Sequence, residues 1–273
     1  MQRFRELWAY RTLIANLAQR ELRAKYKKSV LGWLWSLINP ATNLIILSIV
    51  FGVFFGSKPP DPAGNGSQSF ALWLFCGLVV WNFFSGTVNG SIGALQASGG
   101  MLNKVYFPPV APAIANMITI MLQTVIEFGI LTVVMIVIGN GSWHILLAPV
   151  LILILAVFSL GVGLLVSIFN VFYRDVGYIV ALSLNVLFYA TPIIYSYQLQ
   201  VEPVLAKYDI AWAGVIFKAN PLTQFVDASR SLFYSQTLPS LASIAYMTVV
   251  AILMFLVGWW FFNRKARMAT EEL

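Results

Sequence analysis

The sequence predicts an all-α polytopic membrane protein with six transmembrane helices and both termini on the cytoplasmic side. Three observations predict it. Six apolar stretches, at 33–56, 70–92, 111–138, 145–170, 177–197 and 240–262, are each long enough to cross a bilayer. About 20 helical residues, rising about 1.5 Å apiece, cover a hydrocarbon core about 30 Å thick. The composition is 59% hydrophobic and only 10% charged, against about 25% charged in a soluble domain. The basic residues also divide unequally between the two sides. Arg3, Arg5, Arg11, Arg20, Arg23, Lys25, Lys27, Lys28, Lys104, Arg174, Arg264, Lys265 and Arg267 all fall on the N-terminal side of the spans, leaving only Lys58, Lys207, Lys218 and Arg230 opposite. An excess of lysine and arginine marks the cytoplasmic face. The net charge of +7 is therefore mostly a property of that face, where it attracts anionic headgroups and gives no reason to expect nucleic acid.

The whole chain, 1–273, reads as one transmembrane domain: an interface helix over 1–31, a six-span region over 33–262 and a cytoplasmic tail over 263–273. The first 30 residues are charged and aromatic and do not read as a signal peptide. Trp8, Leu13, Ile14 and Leu17 among the arginines suit a helix lying in the membrane interface. Trp33 and Trp35 open the first span as a headgroup belt, and Asn39-Pro40 predicts a kink or a junction there. Pro59, Pro60, Pro62, Gly64 and Gly66 make the first outer loop turn and coil. The first inner loop, 93–110, reads as one or two helical turns stopped by Pro108-Pro109; the second, 170–177, is shorter. Gly139 to His144 is a tight outer turn. The last outer segment, 198–239, is the longest connection, and the spacing of Phe225, Ala228, Leu232 and Phe233 after Asn220-Pro221 predicts a short amphipathic helix, re-entrant or gating an exit.

Several chemistries are excluded. No phosphate-binding Gly-x-x-x-x-Gly-Lys loop is present, so the chain is not expected to bind ATP. One His, one Cys and ten scattered carboxylates offer no metal constellation, and Cys76 reads as a small buried hydrophobe. His144 beside Trp143 reads as structural. An intramembrane enzyme would need clustered acids or a nucleophile–base pair, for which only Arg174, Asp175 and Glu127 are on hand. Glu127 is the one acid within a span, and it should face protein or water because lipid exposure is costly. Gly86, Gly90, Gly93, Gly161 and Gly163 are positions where helices can approach closely. The aromatics Trp73, Trp81, Phe84, Phe188, Tyr189 and Tyr195 serve either as packing and lipid belt or as a lining along which sugar C–H faces slide.

The continuous stretch from Arg20 to Pro40 resembles the N-terminal signature of the permease subunit of type-2 (ABC-2) polysaccharide-exporting ABC transporters, which move O-antigen, teichoic acid and related glycans. Asn103-Lys104-Val105-Tyr106-Phe107-Pro108, Asn170-Val171-Phe172-Tyr173-Arg174-Asp175, Ala190-Thr191-Pro192-Ile193-Ile194-Tyr195 and Asn220-Pro221-Leu222-Thr223 are similar to further family motifs, in the family's order. Pro109-Val110 departs from it, since many members carry a charge there. The resemblance implies a non-enzymatic transport subunit in the bacterial cytoplasmic (inner) membrane. It implies a homodimer working with two separate ATP-binding subunits, on which ATP and Mg would sit, this chain holding no cofactor. The cargo would be a polyprenyl-pyrophosphate-linked polysaccharide. Leu95, Ser98, Met101, Leu102, Asn103, Lys104 and Tyr106, within 94–106, would form the coupling helix that meets the ATPase. Arg174 and Asp175 would hold the second inner loop. Arg23, Lys25, Lys27 and Lys28 would meet the lipid pyrophosphate, and the six aromatics above would line the glycan path. Export of a small lipid, lipo-oligosaccharide or drug is the alternative within the same broader family, and a purely structural assembly subunit is a third reading.

Overall fold

A computed structural model of the chain describes residues 8–27, 29–60, 69–102, 107–173 and 175–272, and every ordered element in them is helical. Helix α1 is Arg11–Tyr26. A 3-10 turn at Gly32–Leu34 leads into α2, Trp35–Leu47, which continues as π-helix over Ser48–Phe54. Helices α3, Phe70–Leu102, and α4, Ala111–Val137, follow. A 3-10 turn at Trp143–Leu147 opens α5, Ala148–Phe172, and α6 is Val176–Ala190. The outer segment then folds as a π turn, Tyr197–Val201, two short helices, α7 (Glu202–Lys207) and α8 (Gly214–Ala219), and α9, Pro221–Phe233. Helix α10, Leu241–Glu272, completes the fold.

Five of these helical segments are long and apolar enough to cross a membrane: Trp35–Phe54, Phe70–Ser98, Ala111–Val137, Trp143–Phe172 and Leu241–Ala266. The sixth expected span does not form one helix over 177–197. It stops at Ala190, before Thr191-Pro192, where Thr191 turns extended (ψ 133°). Residues preceding a proline are pushed out of the α region. The 15 residues of α6 rise only about 22 Å. The inner loop expected from 93 also differs, because α3 runs on unbroken to Leu102. The tail after 262 is likewise helical through Glu272.

Helices α3 and α5 form the centre of the bundle, more than half buried, whereas α2 lies at its edge with few buried residues, Ser36 and Pro40 among them. Three contacts fix the close crossings. A Cβ at Gly258 would overlap the carbonyl of Gly161, so α5 and α10 touch backbone to backbone. A Cβ at Gly163 would lie 2.5 Å from Ser91 Oγ, seating α5 on α3. A Cβ at Gly90 would strike the amide of Asn116, seating α4 on α3. Gly93 and Gly129 have open space beside them, so Gly93 is not the approach point its spacing predicted. Helix α4 ends in a glycine cap: Gly139 takes φ +78°, its N–H bonds Ile136 O (3.0 Å) and Asn140 N–H bonds Met135 O (2.8 Å).

The bundle has two distinct ends. At one, Ile14, Leu17 and Ala18 of α1 pack on Phe107, Ala111 and Ala115, where α4 begins. Next to it Leu95, Val110, Leu160, Leu164, Ile168 and Phe262 cluster, so the later parts of α3, α5 and α10 converge on the start of α4, the segment that α1 also packs against. At the other end α9 inserts its apolar face among α3, α4 and α5: Phe128 stacks on Phe233 at 4.8 Å, Phe158 meets Phe225 at 5.7 Å, and Phe225, Phe233 and Tyr234 are fully buried. Asn220 caps α9 by accepting from Leu222 N–H (3.0 Å), as the Asn-Pro start predicts.

Candidate functional site

Two polar constructions lie between apolar helices, one toward each end. The first begins with a proline. Pro40 sits inside α2 and has no N–H to donate to the carbonyl of Ser36, four residues earlier. Gln123 of α4 supplies a donor instead, Nε2 to Ser36 O at 3.2 Å, and the same nitrogen lies 2.9 Å from Glu127 Oε1, one helical turn on. Glu127 is 1% exposed, so the acid expected to avoid lipid does so within the protein. Around this pair, Glu21 and Ala24 of α1, Asn82 and Gly86 of α3, and Asn116, Thr119, Ile120 and Thr124 of α4 enclose a groove of about 480 Å³. Thr119 also holds α1 down, its hydroxyl donating to Ala18 O (3.4 Å) and Ala115 O (3.1 Å). Burial at the groove wall pushes the Glu21 carboxyl up to about 7, against the opposing pull of Arg20.

The second construction ties α9 to the break after α6. Arg230, 5% exposed, donates from Nη1 to Pro192 O (2.8 Å) and from Nη2 to Ile193 O (2.7 Å). Its guanidinium carbon stands 3.5 Å from the centroid of the Trp73 ring. Asp227, one turn earlier, is 3.6 Å away. Gly77 leaves the room, since a Cβ there would lie 3.3 Å from Arg230 Nη2. Asn220 Nδ2 donates to Thr191 Oγ1 at 2.9 Å, and Ser229 donates to Cys76 O at 3.0 Å. The Ala190–Tyr195 and Asn220–Thr223 motifs, 29 residues apart at that hydrogen bond, are thus one clasp. Sequence reasoning counted Arg230 only as a stray outer charge. Its place four residues before Tyr234 on the buried face of α9 was the available signal.

The expected site residues separate into groups. Trp81 and Phe188 lie 5.3 Å apart between ring centroids, Phe188 meets Tyr189 edge-on at 5.2 Å, and Tyr195 donates its hydroxyl to Tyr189 O (2.7 Å). Trp81, Phe188 and Tyr189 thus form an aromatic strip of contacting rings, with Tyr189 exposed and Tyr195 tied to it by that hydrogen bond. Trp73 and Phe84 are each 3% exposed and packed in the core, Trp73 under Arg230 and Phe84 stacked on Phe158 behind Trp81, whose ring centroid is 6.1 Å away. Leu95 and Ser98 face into the bundle and are not available to a docking partner there; Gln96 and Ala97 are the exposed residues of that turn. Met101 and Leu102 belong to the last turn of α3 by their backbone. Asn103, Lys104, Tyr106, Arg174 and Lys28 lie outside the described residues. Asp175 is exposed at the start of α6 and makes no side-chain cap. Arg23 and Lys27 are exposed on and just after α1, and Lys25 lies on its last turn.

The ABC-2 type transporter family profile matches residues 12–234. The O-antigen export system permease protein RfbA of Myxococcus xanthus is 27% identical over 270 residues, 98% of each chain. The protein of the same name from Klebsiella pneumoniae is 27% identical over 264 residues, 94% of this chain and 93% of its own. The polysialic acid transport protein KpsM of Escherichia coli is 24% identical over 250 residues, 90% of each.

Proposed function

The chain belongs to the ABC-2 type transporter family, and from that premise we propose that it is the permease subunit of an ATP-driven polysaccharide exporter. The observation that carries the reading is similarity along almost the whole chain to permeases named for O-antigen export and polysialic acid transport. A teichoic acid cargo has no such support among these relatives.

The finer reading is as follows. The permease is a homodimer in the bacterial inner membrane, served by two ATP-binding subunits that carry ATP and Mg. The cargo is a polysaccharide on a polyprenyl-pyrophosphate carrier. Both termini are cytoplasmic, and α6 with the stretch to Ser196 makes the sixth crossing. Two observations support that crossing: the later part of α5 packs on the start of α4, where α1 also sits, while Ile193 lies against Gly77 and Arg230, toward the other end. Thirty-three residues of α3 rise about 50 Å, so its last turns stand clear of a bilayer core about 30 Å thick. That lever would carry the push of ATPase closure into the central helix of the bundle. The basic groups Arg23, Lys25, Lys27 and Lys28 suit the carrier's pyrophosphate, and the strip of Trp81, Phe188 and Tyr189, with Tyr195 tied to it, suits sugar faces. No bond of the cargo is broken; the work is mechanical.

Affinity purification of the full chain from host membranes tests this. An ATPase subunit with a phosphate loop should accompany it, and hydrolysis should rise on addition of the host's lipid-linked polysaccharide. Stimulation by phospholipid or drug alone would transfer the reading to small-lipid or drug export.

A further inference from the structure

We propose that the groove between α1, α3 and α4 is a hydroxyl-recognition subsite for the sugar units of the cargo, distinct from the aromatic strip and from the basic residues of the interface helix. It rests on the reading of the chain as a glycan-export permease. Three features of the groove lead to it. Its volume of about 480 Å³ falls within the range of about 300–1,000 Å³ usual for small-ligand sites. Beside Ala24, Gly86 and Ile120 it carries polar side chains where the surrounding helices are apolar: Asn82, Asn116, Gln123, Thr119, Thr124, Glu21 and Glu127 bring primary amides, hydroxyls and carboxyls to its wall. A polar lining inside a bundle is costly to keep, and this one exceeds what the Gln123–Ser36 link alone requires. Finally, the Nδ2 atom of Asn116 is buried with no hydrogen-bond partner.

The chemistry chooses the ligand. Among the described residues no lysine or arginine lines the groove and two carboxyl groups do, so a pyrophosphate would find no cation there to pair with. Amides, which both donate and accept, and carboxyl groups, which accept and when protonated also donate, match vicinal hydroxyls, which do both. Trp81 and Asn82 are consecutive on α3, so the aromatic strip and the groove sit at the same depth of one helix. A sugar unit could therefore present its C–H face to one and its hydroxyl edge to the other in successive positions. Glu21 joins the groove to α1, so occupancy would be felt by the interface helix.

Photocrosslinking in exporting cells tests it. p-Benzoylphenylalanine would replace Ala24 at the rim, Gln123 in the wall, Tyr189 on the aromatic strip, and Val133 on the exposed face of α4 as a lipid-facing control. The expected result is a glycan adduct, read as a lectin-positive mobility shift, at Ala24 and Gln123 and none at Val133. Asn82→Leu, which alters neither crosslinking position, should cut the Ala24 adduct about tenfold, the scale on which a lost hydrogen bond to a buried polar group is felt. A glycan adduct at Tyr189 with none at Ala24 or Gln123 would overturn the subsite and leave the permease reading standing. Phospholipid adducts alone at both groove positions would overturn it in favour of a headgroup site. Absence of glycan adducts at all positions would count against the permease reading itself.

Discussion

Arg230 shows how a single residue can hold an irregular backbone inside an apolar bundle. The chain after α6 must expose carbonyls, because Pro192 interrupts the helical ladder. A guanidinium is a planar fork of donors, and here two of its nitrogens take the carbonyls of Pro192 and Ile193 while Trp73 covers its face. Arg230→Leu removes both donors. Hydrogen bonds to charged groups contribute about 1.5–3 kcal/mol each, so the purified variant should unfold at clearly lower temperature than the parent, with Arg230→Lys between the two. An unchanged melting curve for Arg230→Leu would contradict the clasp. Glu21 makes a different prediction. Its carboxyl lies at about 7 in the folded chain against an ordinary 4.5. Over that interval the folded state holds a proton that the unfolded chain has released, so its contribution to the docking of α1 is greatest below about 4.5 and falls away as pH rises through about 7. Arg20 on the same helix opposes the shift and Glu127 faces Glu21 through the groove. A spin label at exposed Asn16 should gain mobility between about pH 6 and 8, and Glu21→Gln should abolish the change; the same gain in that variant would assign it elsewhere.

At the scale of elements, hydropathy made the long helices legible and left the interruptions obscure. Four of the six apolar stretches correspond to single spanning helices, and the first divides into α-helix and π-helix without leaving the bilayer segment. The shortening of α6 was written in Thr191-Pro192, but the apolar run through Tyr195 masked it. Continuity of α3 through Gly99-Gly100 ran against glycine propensity, and the packing of Leu95 against Leu160 and Phe262 accounts for helix persisting at least to that turn. Glycine spacing marked close approach correctly at Gly86, Gly90, Gly161 and Gly163 and failed at Gly93, because spacing cannot say which face has a neighbour. The contrast is measurable. Gly258→Ala forces a methyl into the Gly161 carbonyl and should cost about 1–3 kcal/mol, seen as a lower unfolding midpoint or loss of monodisperse protein. Gly93→Ala meets nothing and should be neutral or stabilising by up to about 1 kcal/mol. Leu102→Pro would break the last turn of the α3 lever; we predict that ATP hydrolysis by the partner persists while export stops, and export at the parent rate would remove the lever from the mechanism.

At the scale of the molecule, the chain is a bundle whose two ends are built differently, one from an amphipathic helix and protruding helix tails, the other from short helices clasped by buried polar contacts. Charge patterning located the first end and motif order located the second, yet neither revealed the groove. Its residues come from three helices that are far apart in sequence, and only the Glu127 anomaly pointed toward it. The central claim is that this bundle moves a lipid-linked polysaccharide outward. Its most direct test is to deplete the chain in its host and analyse inner-leaflet lipid-linked glycans by mass spectrometry while staining the cell surface for polysaccharide. The account predicts that full-length polymer accumulates on its carrier inside as surface polysaccharide falls. Normal surface polysaccharide with no internal accumulation would contradict it.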